Sequence, residues 1–202
     1  MIYIVDYGLG NLASIKNMFK HIDIRDVKIT SDKSELEQAE KIILPGVGAF
    51  DNGMQHLEKY DLLDVLNKKA LIEKIPFLGI CLGMQLMTKG SEEGQLSGLG
   101  WFDAQTLRFN DNNTLKIPHM GWNYINSRQN GKIFVKKDKR YRFYFVHSYY
   151  VKCKNDEHVM FETNYGIKFH SGIKKENLIG MQFHPEKSLH FGMDIFRNFA
   201  KL

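Results

Sequence analysis

Cysteine is scarce in this chain of 202 residues: there are two, Cys81 and Cys153. Two cannot build a disulfide framework, and no Cys-x-x-Cys or His-Glu-x-x-His spacing offers a metal site. Proline is equally sparse, at 4. With no Pro/Gly/Ser-rich linker to divide the chain, residues 1–202 are expected to form one domain. No apolar run is long enough for a membrane span, and no basic leader precedes Met1-Ile2-Tyr3-Ile4-Val5, so a cytoplasmic chain with no membrane partner is expected. Charge of one sign is weak too: Lys and Arg total 28 against 23 Asp and Glu, a net +5. The densest basic cluster, Lys136-Lys137-Asp138-Lys139-Arg140, carries no motif and reads as a solvated turn rather than a nucleic-acid surface.

What is present is alternation. Ile2 to Val5, Val27 to Thr30, Lys41 to Leu44 and Phe77 to Ile80 read as buried strands. Asn11 to His21, Asp51 to Leu57, Leu62 to Lys74 and Leu82 to Lys89 read as helices between and after them. Strand-helix repetition at this spacing predicts an α/β fold, an open and mainly parallel sheet with helices on both faces. The second half is richer in strands, at Gly100 to Phe109, Arg142 to Val151, His158 to Glu162, Ile167 to His170 and Leu178 to Phe183, before a closing helix from Lys187. Asn110 to Asn113 and Ser127 to Lys132 read as exposed turns.

In open parallel sheets, chemistry gathers at the carboxyl ends of strands. Phe77-Leu78-Gly79-Ile80-Cys81-Leu82-Gly83 is a strand entering Gly-x-Cys-x-Gly and then a helix, the pattern of a nucleophile elbow with sulfur as nucleophile. Taken alone, Cys81 fits a buried structural cysteine equally well; Cys153 has no such setting. Among eight histidines, His184 follows an apolar strand and precedes Pro185-Glu186. On extended backbone, residues i and i+2 share a side, so Glu186 can hold the imidazole in one tautomer. A strand-to-helix turn with Glu186 as a cap is the competing reading. His147 reads as a core histidine on a central strand, and His119 as part of a turn. Pro45-Gly46-Val47-Gly48 ends a strand in a flexible loop whose N–H groups, with that of Leu82, suit an oxyanion hole. Gly8-x-Gly10-x-x-Ala13 with Asp32 downstream matches the dinucleotide-binding fingerprint, so an oxidoreductase is the remote second reading.

Pro45-Gly46-Val47-Gly48, Gly79 to Gln85 and Phe183 to Ser188 together resemble the three signatures of class I glutamine amidotransferases, whose fold is flavodoxin-like. Asp6 to Asn11, Pro118 to Asn123 and Tyr144 to Tyr149 resemble one branch, the glutaminase subunits of imidazole glycerol phosphate synthases. The resemblance implies Cys81 as nucleophile, His184 as acid and base, Glu186 as orienting carboxylate, and Val47, Gly48 and Leu82 at the oxyanion hole. It implies that Gln85, Glu93, Ser148 and Tyr149 grip L-glutamine, that no cofactor is used, and that Asn11, Met120, Gly121, Trp122, Asn123 and Lys187 face a partner. That partner is a separate synthase or cyclase subunit, a (β/α)8 barrel in a heterodimer of the histidine pathway; little chain follows Glu186, so the acceptor site is expected on another polypeptide. Ser91 to Gly94 and Gly98 to Asp103 equally resemble relatives that supply ammonia to sugar amidotransferases of surface-polysaccharide or flagellar glycan synthesis.

Overall fold

The apolar runs become strands because each splits its side chains between two cores. In a computed structural model describing residues 1–110, 115–128, 131, 134–135 and 140–202, the first half alternates β1 (Ile2–Val5), α1 (Leu12–His21), β2 (Val27–Thr30), α2 (Lys33–Leu36), β3 (Lys41–Gly46), α3 (Phe50–Lys59), α4 (Leu63–Asn67), β4 (Phe77–Cys81) and α5 (Leu82–Leu86). Tyr3, Val5, Leu44 and Phe77 pack into one core. Ile2, Ile4, Ile43, Leu78 and Ile80 pack into the other, beneath α1 and the last helix. Period-two alternation between two dry faces is what a sheet covered on both sides requires. Each fully buried apolar side chain stabilises by about 1.5–3 kcal/mol.

The second half runs β5 (Ala104–Arg108), β6 (His119–Tyr124), β7 (Asn126–Ser127), β8 (Arg142–His147), β9 (Tyr149–Cys153), β10 (Val159–Tyr165), β11 (Ile167–Lys175), β12 (Leu178–Met181) and α6 (Leu189–Ala200). The parallel part has the order β2-β1-β3-β4-β12. This is the flavodoxin-like order, and it continues antiparallel through β11 and β10 to β7. Strands β9 and β5 extend the same sheet from β11, so one ten-stranded sheet joins both halves.

Five expectations need correcting. Arg142 to Val151 is not one strand: the chain turns at Ser148, leaving β8 in a separate two-stranded ribbon with β6 and β9 in the main sheet. Both halves are apolar in alternation, so periodicity carries no mark of the break. His119 accordingly lies on strand β6, opposite His147, rather than in a turn, and His147 ends a ribbon strand rather than a central one. Helix α5 stops at Leu86 because the Thr88 hydroxyl takes the Gln85 carbonyl at 2.8 Å and the Lys89 N–H goes to Ala104. The helix expected to Lys74 becomes a π-turn over Lys68–Ile72, where the buried Lys69 ammonium reaches the Ala39 carbonyl and Glu73. Of the expected turns and the basic cluster, residues 111–113, 129–130, 132 and 136–139 lie outside the described residues. Among those described, no helix is long and apolar enough to cross a membrane.

Candidate active site

Strand β4 delivers Cys81 to the carboxyl edge of the sheet, and the turn into α5 holds it in an unusual shape. Its φ is +53° and ψ −109°, a conformation that costs a non-glycine residue on the order of 1–3 kcal/mol and persists only where neighbours enforce it. Two glycines are part of that enforcement. A Cβ at Gly79 would lie 2.7 Å from the Gly83 carbonyl oxygen, and one at Gly83 would run into the carbonyl of Leu44 on β3. Strand and helix therefore touch through bare backbone, and the thiol is pushed to the rim while 7% exposed.

The neighbouring strand β12 leads into His184. Its N–H bonds the Tyr144 carbonyl at 2.9 Å, and Pro185 opens a tight 3-10 turn over Pro185–Lys187. The turn returns Glu186 beneath the ring: Nδ1 to Oε1 is 2.7 Å, with both side chains 2% exposed. Nδ1 therefore carries the hydrogen, and Nε2 is the nitrogen left for chemistry. Nε2 is buried without a hydrogen bond of ordinary geometry, and the Cys81 sulfur is the neighbour acting on it. Burial pulls the imidazole pKa down, but the Cys81 charge and then Glu186 outweigh it and push it up to about 10. Both neighbours thus favour the protonated ring.

Cys81 and His184 open onto a cavity of about 570 Å³. Its walls bring together Val47, Gly48, Leu82, Gln85, Glu93, Ser148 and Tyr149, the residues expected from three distant stretches of sequence. Gly48 has φ +102° with open space around it, directly after β3, whose Gly46 pairs with Cys81. Glu93 accepts the Phe50 N–H at 2.9 Å, and burial raises its pKa above the usual carboxylate value. Gln85 is nearly buried and donates to the Tyr149 carbonyl and to Gln182, each at 3.1 Å. A larger hollow of about 710 Å³ beside Arg128, Asp156 and Glu176 shares no lining residue with this one among the described residues, and has no cysteine among them.

Two residues of the site were not singled out in sequence. Gln182 is fully buried and points its amide at the Cys81 sulfur, 3.7 Å away; the signal was its place two residues before His184, on the same side of extended backbone. Tyr7 donates to the Pro45 carbonyl at 2.7 Å and so braces the base of the Gly46 to Gly48 loop. His147 is buried and satisfied, as a core histidine should be, yet it also lines the cavity. The expected partner-facing residues divide. Met120 and Trp122 are 62% and 43% exposed on β6, Gly121 sits between them at φ +123°, and Asn123 is half-buried. Lys187 lies over the Tyr144 ring, which Trp122 meets edge-on, so these share one surface. Asn11 begins α1 after Gly10, whose α-carbon packs against Pro45. The dinucleotide fingerprint is otherwise engaged: Asp32 accepts the Ser34 N–H and caps α2.

Comparison with known proteins decides the family. The model of the class-I glutamine amidotransferases matches residues 3–202. This chain belongs to that family.

Imidazole glycerol phosphate synthase subunit HisH 2 of Methanococcus maripaludis is 51% identical over 201 residues, covering 100% of this chain and 99% of the relative. The protein of the same description from Pseudomonas aeruginosa is 46% identical, with 100% of both chains covered. A crystal structure of glutamine amidotransferase shares the fold with a TM-score of 0.77 at 17% identity, covering 100% of this chain and 98% of that one. In an amidotransferase of this class, an amide carbonyl must meet a nucleophile, an oxyanion site and a proton donor together. Here the nucleophile candidate ends β4, the loop follows β3 and the imidazole follows β12, three adjacent strands of one sheet. Such an arrangement can perform acyl transfer through a thioester.

Proposed function

We propose that this amidotransferase is the glutaminase subunit of an imidazole glycerol phosphate synthase, hydrolysing L-glutamine with Cys81, His184 and Glu186 and passing ammonia to a separate subunit. The observation that carries the catalytic part is the strained Cys81 elbow sharing a cavity with an imidazole oriented by Glu186. The full-length likeness to subunits of that synthase supports the acceptor.

The reaction follows from the charges. The Cys81 sulfur attacks the side-chain amide carbon, and the N–H groups of Val47, Gly48 and Leu82 receive the oxyanion. Each such donor is worth roughly 2.7–4 kcal/mol in the transition state. His184, as an imidazolium, gives its Nε2 proton to the departing nitrogen; the C–N bond breaks and ammonia leaves a glutamyl thioester. Neutral His184 then takes a proton from water as its oxygen attacks the thioester, releasing glutamate and restoring the sulfur. No step calls on a metal or organic cofactor. Glu93 suits the substrate ammonium, and Gln85, Ser148 and Tyr149 complete the wall around it.

The partner is a (β/α)8 cyclase, docked in a cytoplasmic heterodimer over the face of Met120, Gly121 and Trp122 with Lys187 and Asn11, with residues 1–202 acting as one domain. Exposed aromatics on a two-stranded ribbon beside the cavity mouth favour this face. Mixing the chain with the barrel cyclase, glutamine and the ribulosyl nucleotide should yield imidazole glycerol phosphate. Cys81→Ala should abolish glutamine-dependent product while added ammonium salts still support it. A cyclase that works only with ammonium salts and never retains the chain would reject this acceptor in favour of a sugar-amidating synthase. Glutamine hydrolysis surviving in Cys81→Ala would reject the nucleophile.

A further inference from the structure

Strand β6 has two unlike sides. Met120, Trp122 and Tyr124 are 62%, 43% and 44% exposed, whereas His119, on the other side, is 3% exposed, and Asn123 shares that inner side by the two-residue period of a strand. From the inner side a chain of hydrogen bonds leads to the cavity. Asn123 Nδ2 lies 3.2 Å from His119 Nε2, His119 Nδ1 lies 3.0 Å from His147 Nε2, and His147 Nδ1 lies 2.7 Å from the Tyr149 carbonyl oxygen.

The last contact sets the direction of all the others. A carbonyl only accepts, so His147 Nδ1 carries the hydrogen and its Nε2 must accept from His119 Nδ1. His119 Nε2 is then the acceptor for Asn123. Asn123 is itself fixed, since its Oδ1 takes the Tyr124 N–H at 2.8 Å and its Nδ2 also meets the Asn164 carbonyl at 3.0 Å. At the far end the Tyr149 carbonyl receives Gln85 as well, at 3.1 Å. Between the ends lies Ser148, where the chain leaves the ribbon for the main sheet, and both Ser148 and Tyr149 line the cavity.

Resting on the glutaminase reading above, we propose that His119 and His147 are positioning residues for glutamine. They fix the corner at Ser148–Tyr149 and tie its placement to strand β6, whose outer side is the docking face. A partner that settles β6 thereby settles the substrate wall, and glutamine affinity depends on the relay. The two functions of the His119 ring can be separated. It stacks between Phe145, at 4.7 Å and 25°, and Tyr165, at 4.0 Å and 25°. Phenylalanine keeps that stack and loses both hydrogen bonds; asparagine places an N–H where Nδ1 stood and loses the stack.

The test is glutamate release by the chain in complex with its synthase subunit, read as kcat and KM for glutamine. His119→Phe should raise KM about tenfold, the loss of roughly one hydrogen bond's worth of alignment, while kcat stays within about twofold. His119→Asn should recover most of the KM. An unchanged KM in His119→Phe overturns the relay, and so does an Asn variant as impaired as the Phe variant, which marks a packing effect. Should His119→Phe melt below the assay temperature, Asn123→Ala at the half-buried start of the chain must raise KM in the same direction, and a normal KM there overturns the proposal. A wild-type complex that releases no glutamate sinks the parent reading too; an active one with a normal His119→Phe sinks the relay alone.

Discussion

Acidifying the protein from pH 7 to pH 5 should cost it more stability than its few buried carboxylates explain, because buried histidines resist the proton: His119 and His147 most strongly, and His170 in the same direction. Burial holds His119 at about 4. Burial, with His119 and His184 adding to it against the Tyr149 carbonyl, holds His147 at about 3. In the unfolded chain both titrate near 6.5. The folded pKa is the lower one, so the stability is complete above the unfolded value and drains away as pH falls below it. At pH 5 the unfolded imidazoles are almost fully protonated and the folded ones are not, a difference of about 2 kcal/mol for each. The pair share a hydrogen bond and do not titrate independently, so about 3 kcal/mol together is the sounder figure. His184 has the opposite sign: with a folded value of about 10, its contribution becomes complete only below pH 6.5 and adds back roughly 0.8 kcal/mol between pH 7 and pH 5. The measurement is urea unfolding at pH 7, 6 and 5, for wild type and His119→Phe. Wild type should lose about 2 kcal/mol, the 3 from the pair less the 0.8 from His184, and the variant markedly less over the same interval. Equal stability at pH 7 and pH 5, or the same slope in both proteins, would refute the reasoning.

Four other outcomes follow from the site. Gly83→Ala forces a Cβ against the Leu44 carbonyl and should remove about 3 kcal/mol, lowering Tm by roughly 6–12 °C. Gly48→Ala meets no atom within 4 Å and costs only its positive φ, about 1–2 kcal/mol; its Tm should fall by roughly 2–8 °C while glutaminase kcat falls about a hundredfold, if a loop N–H serves the oxyanion. Glu186→Gln removes the charge that helps hold His184 protonated, so the alkaline fall in kcat/KM should move to lower pH; an unmoved limb would show that Glu186 does not tune the ring. The isolated chain should hydrolyse glutamine slowly and accelerate when partner and acceptor substrate bind, since the Gly46 to Gly48 loop is free to turn. Full turnover in isolation would contradict that.

Much of this was legible in the sequence because local rules carried it. Alternating short apolar runs and helical stretches are enough to specify a doubly covered parallel sheet, and the elbow is written in three consecutive features: a strand, Gly-x-Cys-x-Gly and a helix. His184 and Glu186 could be paired from their spacing around Pro185, but a 3-10 turn rather than the extended backbone that spacing suggested brings them together. The class of chemistry followed from the resemblance of three motifs to class I glutamine amidotransferases, and the family comparison agrees. What sequence could not supply was contact between segments with no common period. The break at Ser148 is invisible because β8 and β9 both alternate, and only strand pairing shows that one joins a ribbon and the other the main sheet. The same pairing sets His119 opposite His147 and turns two unremarkable histidines into one hydrogen-bonded chain. Gln182 reached the sulfur, and Tyr7 the Pro45 carbonyl, only because strands distant in sequence lie side by side. Local propensity is fixed by neighbours in the chain, whereas a site is fixed by neighbours in space.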